Sequence, residues 1–286
     1  MAPPDLPPAT SASQLVSYAM CPRKYFFQYV AGAEPEFRST ALVLGSAIHS
    51  AIGWWFEERL AGRMPRVEQA ETILSADLAA EAAGTSVRWK DSSPESLEAD
   101  ARRYLTLYLT RFGDLEVARI EQPFEVDLED PDTGEVHGRP FKGFFDLTLT
   151  DERVVEVKTS ARGWSEFDLV RHLQIGGYAF VWNALHGGPC EVDVHTIVKL
   201  KREPRVEVYE IRRGEPATRW WIHAASAIEG AIAAGHFPPN PSPRCIECEF
   251  ERACAAWTGD LHPEVRGPRL RVVPDEGHAS ILVPFG

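Results

Sequence analysis

Long apolar runs are missing from this 286-residue chain. No stretch approaches the roughly 20 apolar residues that a membrane-crossing helix needs. The opening MAPPDLPPAT has neither the basic nor the apolar region of an export signal. A cytoplasmic location is the expectation, and there the five cysteines read as thiols or metal ligands rather than a disulfide framework. Positive charge is also short. The formal net charge of −12 argues against a broad, non-specific grip on nucleic acid. It leaves room for a local basic groove, and acidic residues are what a divalent-metal site is built from. No internal repeat is present.

What remains is an ordinary globular composition, 44% hydrophobic and 25% charged, long enough for one large domain with insertions or two small ones. Residues 1–10 are proline-rich and expected to be disordered. Ser11-x-x-Gln14 opens a helix running to about Met20, and Pro22 suits the first turn of a second, CPRKYFFQYV. Apolar periodicity predicts a helix over ALVLGSAIHSAIGWWFEERLAG, ending near Gly62, and two more over about 66–83 and 94–112. From Leu115 the period falls to two, giving three strands: EQPFEVDLED, RPFKGFFDLTLT and RVVEVKTS. A helix over about 165–186, strands near 191–200 and 205–211, and a helix over about 215–235 follow. The reading is a mixed α/β domain with helices packed on its sheet. The tail 259–286 carries no readable signal.

The strand VVEVKTS places Glu156 and Lys158 among valines. Alternation puts those two on one face and Val155 and Val157 on the other. If Thr150–Glu152 forms a three-residue loop, Asp146 lies opposite Glu156 and Leu147 opposite Val155. One face is then apolar, from Phe145, Leu147, Val155 and Val157, and the other gathers Asp146, Glu156 and Lys158. A two-residue loop would mix both faces. Two carboxylates that close repel unless a cation lies between them, and oxygen ligands on a hairpin suit Mg²⁺ or Mn²⁺. The bland alternative is an exposed sheet face with a cross-strand Glu–Lys pair.

Asp146, nine intervening residues and Glu156-x-Lys158 resemble the active-site motif of the PD-(D/E)XK nuclease superfamily, and GFFD, ending in Asp146, resembles the G-x-x-D form of its RecB branch. LGSAIH, ending in His49, resembles that branch's histidine motif, and Gln174-Ile-Gly-Gly-Tyr178 its Q-x-x-x-Y motif. The resemblance implies a restriction-endonuclease-like core with a helical insertion over about 50–112. It implies metal held by Asp146, Glu156, the Val157 carbonyl and His49, with Lys158 positioning the attacking water. Gln174 and Tyr178 would orient the strand, Tyr178 by stacking on a base. Lys142, Arg162 and Arg171 are candidate local cations.

Cys245-x2-Cys248-x5-Cys254 stands far from Cys21, and four such thiols could hold zinc or an iron–sulfur cluster. Cys190 reads as a small buried residue. The split arrangement, with CPRKYFF around Cys21, is similar to the [4Fe–4S]-bearing RecB-type nucleases, among them the AddB nuclease and the CRISPR-associated adaptation nucleases. It implies a cluster stapling the segment 243–257 to the start of one domain, 11–258. The family implies an exonuclease on single-stranded DNA ends, working in repair, recombination or defence beside a helicase or an adaptation-complex partner. Two other readings stay open: an endonuclease on the same fold, and a non-catalytic Cys₄ nucleic-acid-binding or assembly module.

Overall fold

The computed structural model describes residues 5–257 apart from 85, 91 and 201, together with 270–271 and 282–283. Helix α1, Ala12–Met20, begins where the Ser11 hydroxyl accepts the Gln14 amide, 3.3 Å away. Helix α2, Pro22–Tyr25, has proline in its first turn, where the missing N–H costs nothing, and runs on as a π-helical turn, Phe26–Val30. Strands β1 (Arg38–Ser39) and β2 (Val87–Arg88) form a small parallel pair. Between them lie α3 (Thr40–Leu60) and α4 (Val67–Gly84), and α5 (Pro94–Phe112) follows.

A meander of β3 (Val117–Val126), β4 (Phe141–Leu149) and β5 (Val154–Ser160) comes next. Helices α6 (Glu166–Val170) and α7 (Leu173–His186) carry the chain across to β6 (Cys190–Val198). That crossover makes β5 and β6 parallel, whereas the other neighbours in the order β3-β4-β5-β6-β7 are antiparallel, with β7 spanning Arg205–Arg213. Helix α8, Glu215–Ala233, closes the layer.

The single helix read over 165–186 is two helices, broken at Arg171 and His172. Docking explains where α7 lies. A Cβ on Gly176 would stand 2.4 Å from the Trp221 ring and one on Gly177 2.8 Å from the Phe141 ring, so α7 packs closer to α8 and β4 than any side chain there would allow. Helices α3, α4 and α5 cover one sheet face, burying Ile48, Phe56 and Leu105 with Val155, Val157 and Ile197. The expected insertion is thus one of the two helical layers. On the other face α1, α7 and α8 bury Leu15, Tyr178 and Trp221 with Phe141, Phe145 and Val194.

The proline-rich start is ordered by the sheet where it meets it. Thr10 bridges β4, its amide donating to the Pro140 carbonyl at 2.8 Å, and Ala9 and Thr10 are buried. Residues 1–4 lie outside the described residues. By its contacts the chain divides into residues 1–240 and 241–286. The second unit contains a 3₁₀ turn, Pro243–Glu247, helix α9, Glu251–Trp257, and strands β8 (Leu270–Arg271) and β9 (Leu282–Val283), which pair antiparallel. The rest of the 259–286 tail lies outside the described residues. Among the described residues no helix is long and apolar enough to cross a membrane.

One core histidine makes the fold sensitive to acid. His195 on β6 is buried, its Nδ1 3.1 Å from the Tyr108 hydroxyl and its ring 4.3 Å from that of Phe112. Burial, with help from Arg153 and Arg111, pushes its pKa down from 6.5 to about 4. The unfolded chain therefore binds this proton between those values and the folded chain does not, so stability falls as pH drops through that window. Between pH 7 and pH 5 this site should remove about 2 kcal/mol. Thermal melts of the wild type and His195→Gln at both pH values should show a smaller pH-dependent drop for the variant.

Candidate active site

The site grows from the β4–β5 hairpin. Leu149 donates its amide to the Arg153 carbonyl at 2.8 Å, and Glu152 closes the loop with φ 68°. This is a three-residue connection whose last residue takes the left-handed conformation. Leu147 then pairs with Val155, as the register argument required. Ladder pairing ends there. Continued by alternation, it would send the Val157 amide to the Phe145 carbonyl. Instead that amide donates to Asp146 Oδ2 at 3.0 Å.

The pleat changes hand at the same point. Leu147, Val155 and Val157 enter the core under α3–α5, but Phe145 turns to the opposite core, against Phe124 and Tyr178. The expected apolar face therefore loses Phe145. Across the register, Glu121 has φ 44°, a local distortion of β3 of the kind that re-aims a neighbouring side chain.

Asp146, Glu156 and Lys158 converge. The two carboxyls are within hydrogen-bonding reach of each other, and the Lys158 ammonium contacts Glu156 Oε1. Burial, then the charge of Glu156, push Asp146 well above the ordinary carboxylate range. Burial also opposes ionisation of Glu156, but Lys158, Tyr178 and His49 outweigh it and hold this carboxyl low. Burial works against the Lys158 charge as well, and Glu156 and Asp146 outweigh it to raise that pKa. Glu156 thus keeps its charge, and Asp146 is the member that protonates first.

Helices on opposite faces supply the remaining groups. From α3, His49 Nδ1 lies 3.5 Å from Asp146 Oδ2, and the ring hydrogen-bonds the Val157 backbone. Burial lowers its pKa and favours the neutral, ligating form. Helix α3 starts at Thr40 behind the Ser39 cap, so Gly45 and Ser46 lie inside it, one turn before His49. From α7, the Tyr178 hydroxyl stands 2.5 Å from Glu156 Oε2 and 3.0 Å from the Phe144 carbonyl, and Gln174 Nε2 donates to it at 3.0 Å. Its single proton favours the charged oxygen. Tyr178 is only 2% exposed, wedged edge-on against Phe145, so its ring is not available to stack on a base. Its hydroxyl positions Glu156.

Of the candidate cations, Lys142 lies on β4 in the cleft beside Asp146. Arg162 leans 3.7 Å from Asp168, and Arg171 stacks 4.8 Å over Trp220. Glu121 was missed by the sequence reading. It faces Asp146 across the strand register and its charge acts on His49, a placement that depends on the distorted backbone and has no spacing signature.

Two carboxylates, a neutral imidazole and a main-chain carbonyl make an oxygen-rich set suited to Mg²⁺ or Mn²⁺. Burial and then like-charge repulsion raise Asp146, and the repulsion is what such an ion would relieve. Among the described residues no three His, Cys, Asp or Glu side chains converge as a ready metal cage. Cys21 caps α2 in the first unit, while Cys245, Cys248 and Cys254 lie on the 3₁₀ turn, just after it and on α9 in the second. Cys190 is buried, as expected, at the start of β6.

The glycine of GFFD has a packing role. A Cβ on Gly143 would stand 2.7 Å from the buried Phe124 ring. Gly143→Ala should therefore lower stability by about 1–3 kcal/mol through overpacking. A denaturant titration at constant m-value would measure it.

A model of the PD-(D/E)XK nuclease superfamily matches residues 9–255. A solved structure of a Eubacterium rectale protein, provisionally described as an exonuclease, is similar in fold: TM-score 0.55 at 16% identity, covering 86% of this chain and 88% of that one. A second, SSO0001, is 15% identical over 78% of this chain and 88% of its own, with a TM-score of 0.36 too low to argue from. No curated protein matches significantly. With a five-stranded mixed sheet between helices and Asp146, Glu156 and Lys158 gathered at the splayed strands, the chain belongs to the PD-(D/E)XK nuclease superfamily.

Proposed function

We propose that the protein is a divalent-metal-dependent deoxyribonuclease of the RecB/AddB-type branch, acting as an exonuclease on single-stranded DNA ends. The observation that carries this reading is the convergence of Asp146 and Glu156 beneath the Lys158 ammonium, with Asp146 driven toward protonation by burial and then by its neighbour's charge. Nuclease-superfamily membership supplies the reaction class, phosphodiester hydrolysis.

Asp146 and Glu156, with the Val157 carbonyl and His49, would hold Mg²⁺ or Mn²⁺. Bound there, the ion supplies Lewis acidity at a phosphoryl oxygen and acidifies water. Lys158 positions the attacking water and meets the negative charge that develops on the phosphoryl oxygens. Tyr178, itself held by Gln174, donates to Glu156 and keeps this carboxylate charged and aimed. His49, anchored to the Val157 backbone, fixes Asp146 from the opposite side.

Cys21, Cys245, Cys248 and Cys254 are proposed as ligands of a [4Fe–4S] cluster. Support comes from the thiol-rich spacing in the sequence, the set that iron–sulfur clusters take. A structural staple is the role assigned to it. Anaerobic purification should yield a brown protein with about four irons and four sulfides per chain. A colourless, zinc-loaded protein would remove the cluster from this account. A helicase or an adaptation-complex protein is the proposed class of partner.

Asp146→Asn, Glu156→Gln and Lys158→Ala should each abolish Mn²⁺-dependent degradation of single-stranded DNA while melting cooperatively. Tyr178→Phe should retain the fold and lose about 10- to 100-fold in kcat, the effect of one hydrogen bond to a charged group. Unchanged degradation by Asp146→Asn would refute the mechanism. Closed DNA circles should survive intact, and their cutting would assign an endonuclease instead.

A further inference from the structure

Base stacking, expected of Tyr178, is denied to that ring by burial, but a different aromatic stands open beside it. Phe144 lies two residues before Asp146 on β4 and is 59% exposed. A single exposed apolar side chain ordinarily needs no explanation. This one is set apart by its place, because it lines one cleft with Asp146, Gln174 and Tyr178. The cleft holds about 620 Å³, within the size range of sites for small organic groups. The Phe144 ring is exposed in that cleft rather than packed into the core.

The backbone beneath the ring is held firmly. The Phe144 carbonyl lies 3.0 Å from the Tyr178 hydroxyl, the residue pairs with Pro123 on β3, and Gly143 beside it is pressed against Phe124. Positive charge in the cleft is scarce, since Lys142 stands directly opposite Glu125 across the two strands and Asp146 adds a second carboxyl, in a chain of net charge −12. Attraction for phosphates is accordingly weak there, and an aromatic face is the feature left for a nucleic acid to use. A base offers its own face only when unpaired.

We propose that Phe144 is the stacking platform for an unpaired base of single-stranded DNA, that of the nucleotide next to the scissile phosphate. This inference rests on the nuclease reading and assigns the substrate contact that the reading leaves open. Stacking on Phe144 holds the strand in register over Asp146, so the contact contributes to binding rather than to the chemical step.

The test uses the full chain, a single-stranded oligonucleotide and Mn²⁺. Phe144→Ala should raise KM about tenfold with kcat little changed, and Phe144→Trp should restore KM. In the metal-free protein, the emission of Phe144→Trp above that of the chain's own eight tryptophans should be quenched when the oligonucleotide binds. Unchanged KM in Phe144→Ala, or unquenched emission from Phe144→Trp at saturation, in protein that still degrades DNA, would overturn the platform and leave the nuclease reading standing. An equal KM shift on blunt duplex DNA would overturn it too, because paired bases cannot reach the ring. Wild-type protein that degrades no DNA with either metal would defeat both proposals together. Should Phe144→Ala fail to fold, the Phe144→Trp emission decides alone.

Discussion

Where β4 and β5 part, one backbone hydrogen bond is exchanged for a side-chain one, and the site depends on that exchange. The Val157 amide, which a continued ladder would have turned toward Phe145, is taken by the Asp146 carboxylate. The strands can then splay without leaving a buried donor orphaned, a loss that would cost on the order of 1–3 kcal/mol. The same bond fixes the direction of Asp146. The Val157 backbone also engages His49, so one residue of β5 anchors an acid from the sheet and a base from a helix.

Gathering two carboxyls at this opening creates an electrostatic problem that neighbouring groups answer only in part. Lys158 and Tyr178 both engage Glu156, which keeps its charge, while Asp146 is left with the repulsion. Buried charges are tolerated when paired and hydrogen-bonded, and this pair has partners for one member more than for the other. In the proposed metal site, a bound cation would offset that imbalance. Each helical layer contributes to the site, α3 with His49 and α7 with Gln174 and Tyr178. Helix α7 reaches the sheet closely because Gly176 and Gly177 make room for Trp221 and Phe141.

Much of this could be read from residues in order. The three-residue loop and the apolar alternation of Leu147, Val155 and Val157 were enough to set the hairpin register, because a slip of one residue would have buried the charges elsewhere. The four-residue spacing of Gln174 and Tyr178 placed both on one side of a helix, and a hydrogen bond joins them. Phe145 was misread, since alternation assumes an unbroken pleat and the pleat breaks at Asp146 opposite the left-handed Glu121. The break between α6 and α7 was missed because apolar periodicity carries no record of where a neighbouring helix forces the chain to turn.

Local pattern by itself determined most of the longer helices and strands, the hairpin register and the acidic-basic set on the hairpin, because periodicity and loop length act over a few residues. Tertiary structure alone decided which aromatic is exposed and which is sealed. Tyr178 and Phe144 are both aromatic and both adjacent to the site, yet one is covered by Phe145 and Phe124 and the other faces the cleft. Burial is a property of what packs on a residue from distant parts of the chain, and no short stretch of sequence contains it.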